Sequence, residues 1–187
     1  YFYGRKFRVN ENTLIPRPES EDIIDILKNL PSNIYHLSSI KLLDIGTGSG
    51  CLGITAKLEF PDIEVNLSDI SSSALSVAKN NAKNLNADVK FIKSDLLKDL
   101  EINPNIIIAN LPYVDKTWEV SPETKFEPYT ALFANNSGME LVKKMIEQAS
   151  YVQKPTDAII LESDPSQHQQ LIDFASEHGY KLIENIG

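Results

Sequence analysis

Leu42-Leu43-Asp44-Ile45-Gly46-Thr47-Gly48-Ser49-Gly50 is the stretch that decides how this chain folds. Its apolar opening suits a buried strand. The three alternating glycines then allow a sharp turn and a close backbone approach to a ligand, with no Cβ in the way. Cys51–Glu59 follows with helical character, so a helix N-terminus supplies free N–H groups and partial positive charge behind the loop. About 20 residues further on, Asp69 closes the next apolar run, where an acidic side chain typically accepts hydrogen bonds from ribose hydroxyls. Strand, glycines, helix, strand and acid together predict a site for a nucleotide-like ligand.

Outward from this unit the chain keeps alternating. Apolar runs suitable for buried strands occur at 40–45, 63–67, 89–92, 106–109, 158–161 and 181–183, with helix-like segments at 51–59, 72–85, 138–151 and 166–178. This alternation predicts an α/β fold, a doubly wound and mostly parallel sheet with helices on both faces. Upstream, residues 1–15 read as a leading β-hairpin turning at Asn10-Glu11-Asn12. Pro16-Arg17-Pro18 ends it, and Pro18 suits the first position of a helix whose buried face carries Ile23, Ile24, Leu27 and Leu30. The connection 111–137 breaks the rhythm, with three prolines and several aromatic residues. Long loops leaving a strand end are often functional, so it is a candidate active-site loop.

Composition narrows the class. The 187 residues, 42% hydrophobic and 24% charged, fit one globular domain spanning 1–187. No apolar run approaches the ~20 residues of a membrane span. Eighteen Lys and Arg against 26 Asp and Glu give a net charge of −8, which disfavours duplex DNA as the main partner. The single cysteine, Cys51, forbids an internal disulfide, fits a reducing compartment and reads as a packed core residue. His36, His168 and His178 show no metal-ligand spacing, so no metal is expected.

Two motifs identify a family by resemblance. Gly48-x-Gly50-x-x-Gly53 also matches the dinucleotide fingerprint, a weak signal by itself that leaves a nicotinamide-dependent oxidoreductase as one alternative. Asp44-x-Gly46-x-Gly48-x-Gly50 more strongly resembles motif I of class I S-adenosylmethionine-dependent methyltransferases, in which the acid lies near the amino-acid end of the cofactor. Asn110-Leu111-Pro112-Tyr113 resembles the (Asn/Asp)-Pro-Pro-(Tyr/Phe) motif of methyltransferases acting on planar –NH2 groups. Such a nitrogen is a poor nucleophile, and its two N–H groups call for two acceptors, here the Asn110 side-chain oxygen and the Leu111 carbonyl. Tyr113 offers a planar ring to the substrate.

The flanks are similar to one branch, the release factor glutamine methyltransferases. Leu14-Ile15-Pro16-Arg17-Pro18-Glu19-Ser20-Glu21 is similar to its Ile-Pro-Arg-Pro-Glu-Thr-Glu signature, and Ser94-Asp95-Leu96-Leu97 to its acidic loop. Phe126-Glu127-Pro128, Gly138-Met139 and Leu161-Glu162 follow the same pattern. The resemblance implies a Rossmann-like class I domain with S-adenosylmethionine as cofactor. The cofactor-binding residues would be Gly46, Thr47, Gly48, Ser49, Gly50, Asp69, Asp95, Leu96 and Asn110. Asn110, Leu111, Pro112 and Tyr113 would be catalytic. The partner would be a peptide chain release factor, methylated at a glutamine amide by a monomeric cytoplasmic enzyme with no direct nucleic-acid or membrane binding.

Departures are Leu111 in place of the first proline, Lys154-Pro155-Thr156-Asp157 in place of a Lys-Pro-Gly-Gly turn, and Ser163 where glycine is common. The family's N-terminal helical domain is not recognisable here, and its final hairpin reads as cut short at Gly187. Two further alternatives remain at this stage, an adenine N6-methyltransferase and a cofactor-binding module weakened by Leu111.

Overall fold

The decisive stretch forms the central strand of a five-stranded parallel sheet. A computed structural model describes residues 1–30, 40–98, 100–115, 117–118, 128–135, 137–151 and 156–186. His36, Phe126-Glu127 and Lys154-Pro155 lie outside the described residues. The chain runs through α1 (Asp22–Asn29), β1 (Lys41–Ile45), α2 (Cys51–Glu59), β2 (Glu64–Asp69), α3 (Ser72–Leu85), β3 (Lys90–Lys93) and β4 (Ile106–Ala109). It continues with β5 (Val114–Asp115), α4 (Tyr129–Leu132), β6 (Phe133–Ala134), α5 (Glu140–Ser150), β7 (Ala158–Leu161) and α6 (His168–Glu177). The sheet order is β3-β2-β1-β4-β7, with every pair parallel.

Successive strand residues point to opposite faces, and a sheet buried on both sides needs apolar residues at consecutive positions. Leu42, Ile106 and Ile108 accordingly pack with Ile23, Ile24 and Leu27 of α1 and with Leu52, Ile54 and Ala56 of α2. Leu43, Ile45, Ile107 and Ala109 face the other way, against Val142, Met145, Ile146 and Ala149 of α5 and Leu171 of α6. Strand order reverses between β1 and β4, which leaves a crevice beyond their carboxyl ends where sheets of this type take ligands. The glycine loop and Asn110 leave those two strands side by side.

Two expectations are corrected. The hairpin over 1–15 shrinks to a tight turn at Tyr3-Gly4, both with positive φ, closed by a single antiparallel bridge between Phe2 and Arg5. Burial explains this, because Phe2 and Phe7 insert into the core and meet edge-on, so the segment packs as a plug and not as a ladder. Residues 181–183 are not a strand. They follow a groove of about 650 Å³ beside β7, the sheet's edge, and none of Gly46, Gly48 or Asn110 lines it. A strand forms only where a ladder joins it to a neighbour, and among the described residues 181–183 pair with no strand, the open edge of β7 included. Among the described residues, no helix is long and apolar enough to cross a membrane.

Candidate active site

The glycine loop is shaped by backbone conformation and by one buried acid. Gly46, Gly48 and Gly50 all have positive φ (69°, 53° and 82°). At Gly50 a Cβ would lie 2.7 Å from Ile54 and 3.1 Å from Ala78, so only glycine closes the loop onto α2. Asp44 is 1% exposed. Its Oδ2 accepts from Thr47 Oγ1 at 2.6 Å and from the Gly53 N–H at 2.9 Å, so this acid clamps loop to helix from beneath. Burial pushes its carboxyl up to about 6, against the opposing effect of those two donors. The resemblance put the corresponding acid near the cofactor's amino-acid end. Here its side chain is spent on the loop itself.

The loop then reaches across to β2. Thr47 N–H donates to the Ser68 carbonyl (2.9 Å), and Gly48 N–H to Asp69 Oδ2 (2.9 Å). The second Asp69 oxygen accepts from Ser71 N–H at 2.8 Å. Asp69 stays partly exposed, and a carboxylate has further lone-pair sites for hydroxyl donors. Ser94 N–H donates to the Asp69 carbonyl (3.1 Å), which draws the Asp95-Leu96 turn alongside. Leu96 is buried with φ +55°, and Asp95 pairs with Lys144 of α5 at 2.9 Å. Lys143 and Lys144, read from sequence as a solvated helix face, are therefore engaged, Lys143 lying over the Phe174 ring.

Asn81 of α3, 1% exposed, adds a tie invisible in the motif. Its amide nitrogen donates to the carbonyls of Ser49 (2.8 Å) and Arg8 (2.9 Å), and its oxygen accepts from Arg8 N–H (2.9 Å). The leading segment is thus stitched to the glycine loop through one side chain, with both amide hydrogens engaged. Burial pushes the Cys51 thiol up to about 12, which fits a packed residue and not a nucleophile.

On the β4 side, Leu111 is 4% exposed and packs with Leu43, Ile45 and Ala109. A Cβ on Gly46 would lie 2.7 Å from Leu111 Cδ2, so the two motifs touch. Proline's fixed φ is absent at this position, and burial of the leucine side chain holds the loop instead. Asn110 Nδ2 donates to Ser20 Oγ (2.8 Å) and Glu162 Oε2 (2.9 Å). Ser20 Oγ donates to the same Glu162 oxygen at 2.5 Å, and Tyr113 Oη donates to Glu162 Oε1 at 2.9 Å. Burial and the neighbouring carboxylate hold the Tyr113 hydroxyl well above its ordinary pKa, so it stays a proton donor.

Ser20 and Glu162 were not selected as site residues from sequence. The signal was the Pro-Arg-Pro-Glu-Ser element itself, which delivers Ser20 in a 3-10 turn (Pro18–Glu21) directly before α1. Gln167 was missed as well. Only 2% exposed, it donates to the carbonyls of Tyr113 and Ser137, both at 2.8 Å, and so pins the two ends of the 111–137 connection. The β5–β6 pair braces the same ends. Gly138 closes them so tightly that a Cβ would fall 1.8 Å from the Tyr113 carbonyl oxygen. Among the described residues, no group of three His, Cys, Asp or Glu side chains is placed to hold a metal ion.

Residues 22–125 match the methyltransferase small domain. The release factor glutamine methyltransferase of Staphylococcus aureus is 40% identical over 177 residues, which is 91% of this chain and 62% of that protein. The protein of the same name from Koribacter versatilis is 39% identical, covering 99% of this chain and 67% of its own length. The chain therefore spans about two thirds of the length of these relatives. Two solved structures share the fold at low identity. A ribosomal protein L11 methylase from Lactobacillus delbrueckii has a TM-score of 0.66 at 20% identity, covering 97% of this chain and 80% of that one. The hMettl16 catalytic domain has a TM-score of 0.71 at 17% identity, covering 95% and 68%. By the family match and these relatives, the chain belongs to the methyltransferase small domain family, among the release factor glutamine methyltransferases.

Proposed function

We propose that this chain catalyses S-adenosylmethionine-dependent N5-methylation of the glutamine side chain in the Gly-Gly-Gln motif of peptide chain release factors. It would work as a monomer in the cytoplasm, where that substrate acts. The observation that carries the reading is the Asn110 amide, fixed by its nitrogen at the crevice between β1 and β4. Its oxygen is the end left for a substrate amide N–H.

The residues on the cofactor side fit such a group. Asp69 is a partly exposed carboxylate at a strand end, suited to ribose hydroxyls. A Cβ on Gly48 would meet nothing closer than the Gly46 carbonyl at 3.9 Å, so the loop leaves open space there. The N-cap of α2 is Gly50, which has no side chain to cap the helix, and although Asp44 takes the Gly53 N–H, such a terminus suits a carboxylate. Gly46, Thr47, Gly48, Ser49 and Gly50 would line this side, with Asp95 and Leu96 at the adenine edge. S-adenosylmethionine supplies, when bound, an electrophilic methyl group on a sulfonium sulfur.

The protein's own part is positioning. Asn110 Oδ1 accepts one N–H of the substrate amide and the Leu111 carbonyl accepts the other, which turns the nitrogen toward the crevice. Pro112 fixes the path of the turn, and the Tyr113 ring, tethered through its hydroxyl, forms a wall against the substrate plane. Excluding water from this corner strengthens both hydrogen bonds. Neither a metal nor a strong base is called for by this geometry.

Labelled methyl transfer tests the reading with three acceptors: a release factor, the same factor with its Gly-Gly-Gln glutamine replaced by alanine, and duplex DNA. Label on the intact factor alone is expected. Label on DNA would instead assign the site to adenine.

A further inference from the structure

Asn110 Nδ2, Ser20 Oγ and Glu162 Oε2 form a closed triangle with sides of 2.5 to 2.9 Å. We infer that Glu162 and Ser20 are positioning residues that fix which end of the Asn110 amide faces the substrate. The inference rests on the glutamine methyltransferase reading above and deepens it.

The two ends of a carboxamide have nearly the same shape but opposite hydrogen-bonding character. A freely rotating Asn110 would present its NH2 to the crevice in part of the population, and a substrate amide nitrogen would then meet a donor with its own donors. Inverting the side chain would set Oδ1 against Glu162 Oε2, placing two acceptor oxygens where 2.9 Å now separates a donor from an acceptor. An ionised carboxylate has no hydrogen with which to repair that contact. Ser20 removes the remaining ambiguity. Its single hydroxyl hydrogen goes to Glu162, so only lone pairs face Asn110 and the serine is not available as a donor to Oδ1.

The same carboxylate also takes the Tyr113 hydroxyl on its other oxygen. One group therefore registers the amide acceptor and the aromatic wall relative to each other. Glu162 is itself anchored by backbone, its N–H donating to the Ala109 carbonyl at 3.1 Å, one residue before Asn110. The orientation of the acceptor is inherited from the β4–β7 ladder.

Turnover on a release factor, measured together with S-adenosylhomocysteine affinity, tests this. Glu162→Gln introduces a donor that tolerates the inverted amide, and kcat should fall about 100-fold, the scale of a small misplacement at a reacting centre. Affinity for S-adenosylhomocysteine should stay within about threefold, since the altered contact lies on the acceptor side. Ser20→Ala should lower kcat about 10-fold, the worth of one hydrogen bond to a charged group. Ser20→Thr keeps the hydroxyl and should recover most of that loss.

In an Asn110→Ala background, Glu162→Gln should add less than about a twofold further loss, because it acts through the missing amide. Wild-type kcat in both Glu162→Gln and Ser20→Ala would overturn the inference. So would an equal factor of loss from Glu162→Gln with and without Asn110. If Glu162→Gln fails to fold, the serine pair decides alone, and equal loss in Ser20→Ala and Ser20→Thr would overturn the role. Absence of transfer by the wild-type chain would bring down the functional reading and this role with it.

Discussion

The two sides of the active site are built from different materials. On the cofactor side, the side chains of Asp44, Asp69 and Asn81 hold the glycine loop, and the chain separations are short: 3 residues from Asp44 to Thr47, 21 from Gly48 to Asp69 and 32 from Ser49 to Asn81. On the acceptor side, four side chains meet across separations of 49 to 142 residues. A loop made of local contacts is shaped as soon as its strand and helix pack. An acceptor made of distant side chains exists only once β7, the Pro18–Glu21 turn and the end of β4 are all in place. Cofactor binding and methyl transfer should therefore be separable by mutation.

The strongest break in that comparison is Asn110→Ala. Transfer should fall by at least about 10³-fold, as expected for removing a preorganised acceptor at the reacting group, with S-adenosylhomocysteine affinity within a few-fold. Unchanged turnover in that variant would dismantle the proposed mechanism. On the opposite side, Gly50→Ala forces a Cβ at positive φ to within 2.7 Å of Ile54. Strain and overpacking together should cost about 3 kcal/mol of stability, read by denaturant titration, and should weaken cofactor binding as well. A fully stable variant would show that the loop tolerates another path.

Leu111→Ala probes the seam between the two sides. Removing a buried leucine that touches Gly46 should cost about 2–4 kcal/mol and lower both cofactor affinity and turnover. Asp69→Asn should be milder and one-sided. Losing the charge on a hydrogen-bonded acceptor should weaken cofactor binding about 10-fold with little effect on kcat at saturation. A kcat defect at saturating cofactor would mean that the two sides are coupled through Asp69.

The smallest effect lies in pH dependence. Asp44 is held at about 6 in the folded chain against 3.8 for the free side chain. The folded state binds this proton more tightly, so the stabilising contribution of protonated Asp44 is fully present below 3.8 and is lost as pH rises through 6. Wild-type stability relative to Asp44→Asn should therefore increase as pH falls between those limits and be flat on either side. A difference that does not vary with pH would show that Asp44 ionises as freely inside as outside.

Legibility followed the same division. α2, α3, β4 and β7 fall on the residues that hydrophobic periodicity marked, because each spans a complete apolar face between clear turn signals. Asp44, Gly50 and Asp69 were visible as a pattern, although the inward role of Asp44 was not, since burial is a property of the packed loop. Residues 181–183 carry the composition of a strand without the ladder that makes one. Lys144 keeps 43% of its side chain exposed, as a solvated helix face does, while its pairing with Asp95, 49 residues away on another element, carries no sequence signal.

The amino-acid sequence by itself determined the alternation of strand and helix, the glycine loop and the Asn-x-Pro-Tyr turn, because these depend on local conformation and short-range apolar spacing. Only the tertiary structure decided that Ser20 and Glu162 would meet Asn110, that Gln167 would pin Tyr113, and that a buried leucine would hold the turn where the family has proline. Those contacts join segments whose separation along the chain carries no periodic signal. Their geometry follows from the order in which parallel strands are laid down on either side of β1.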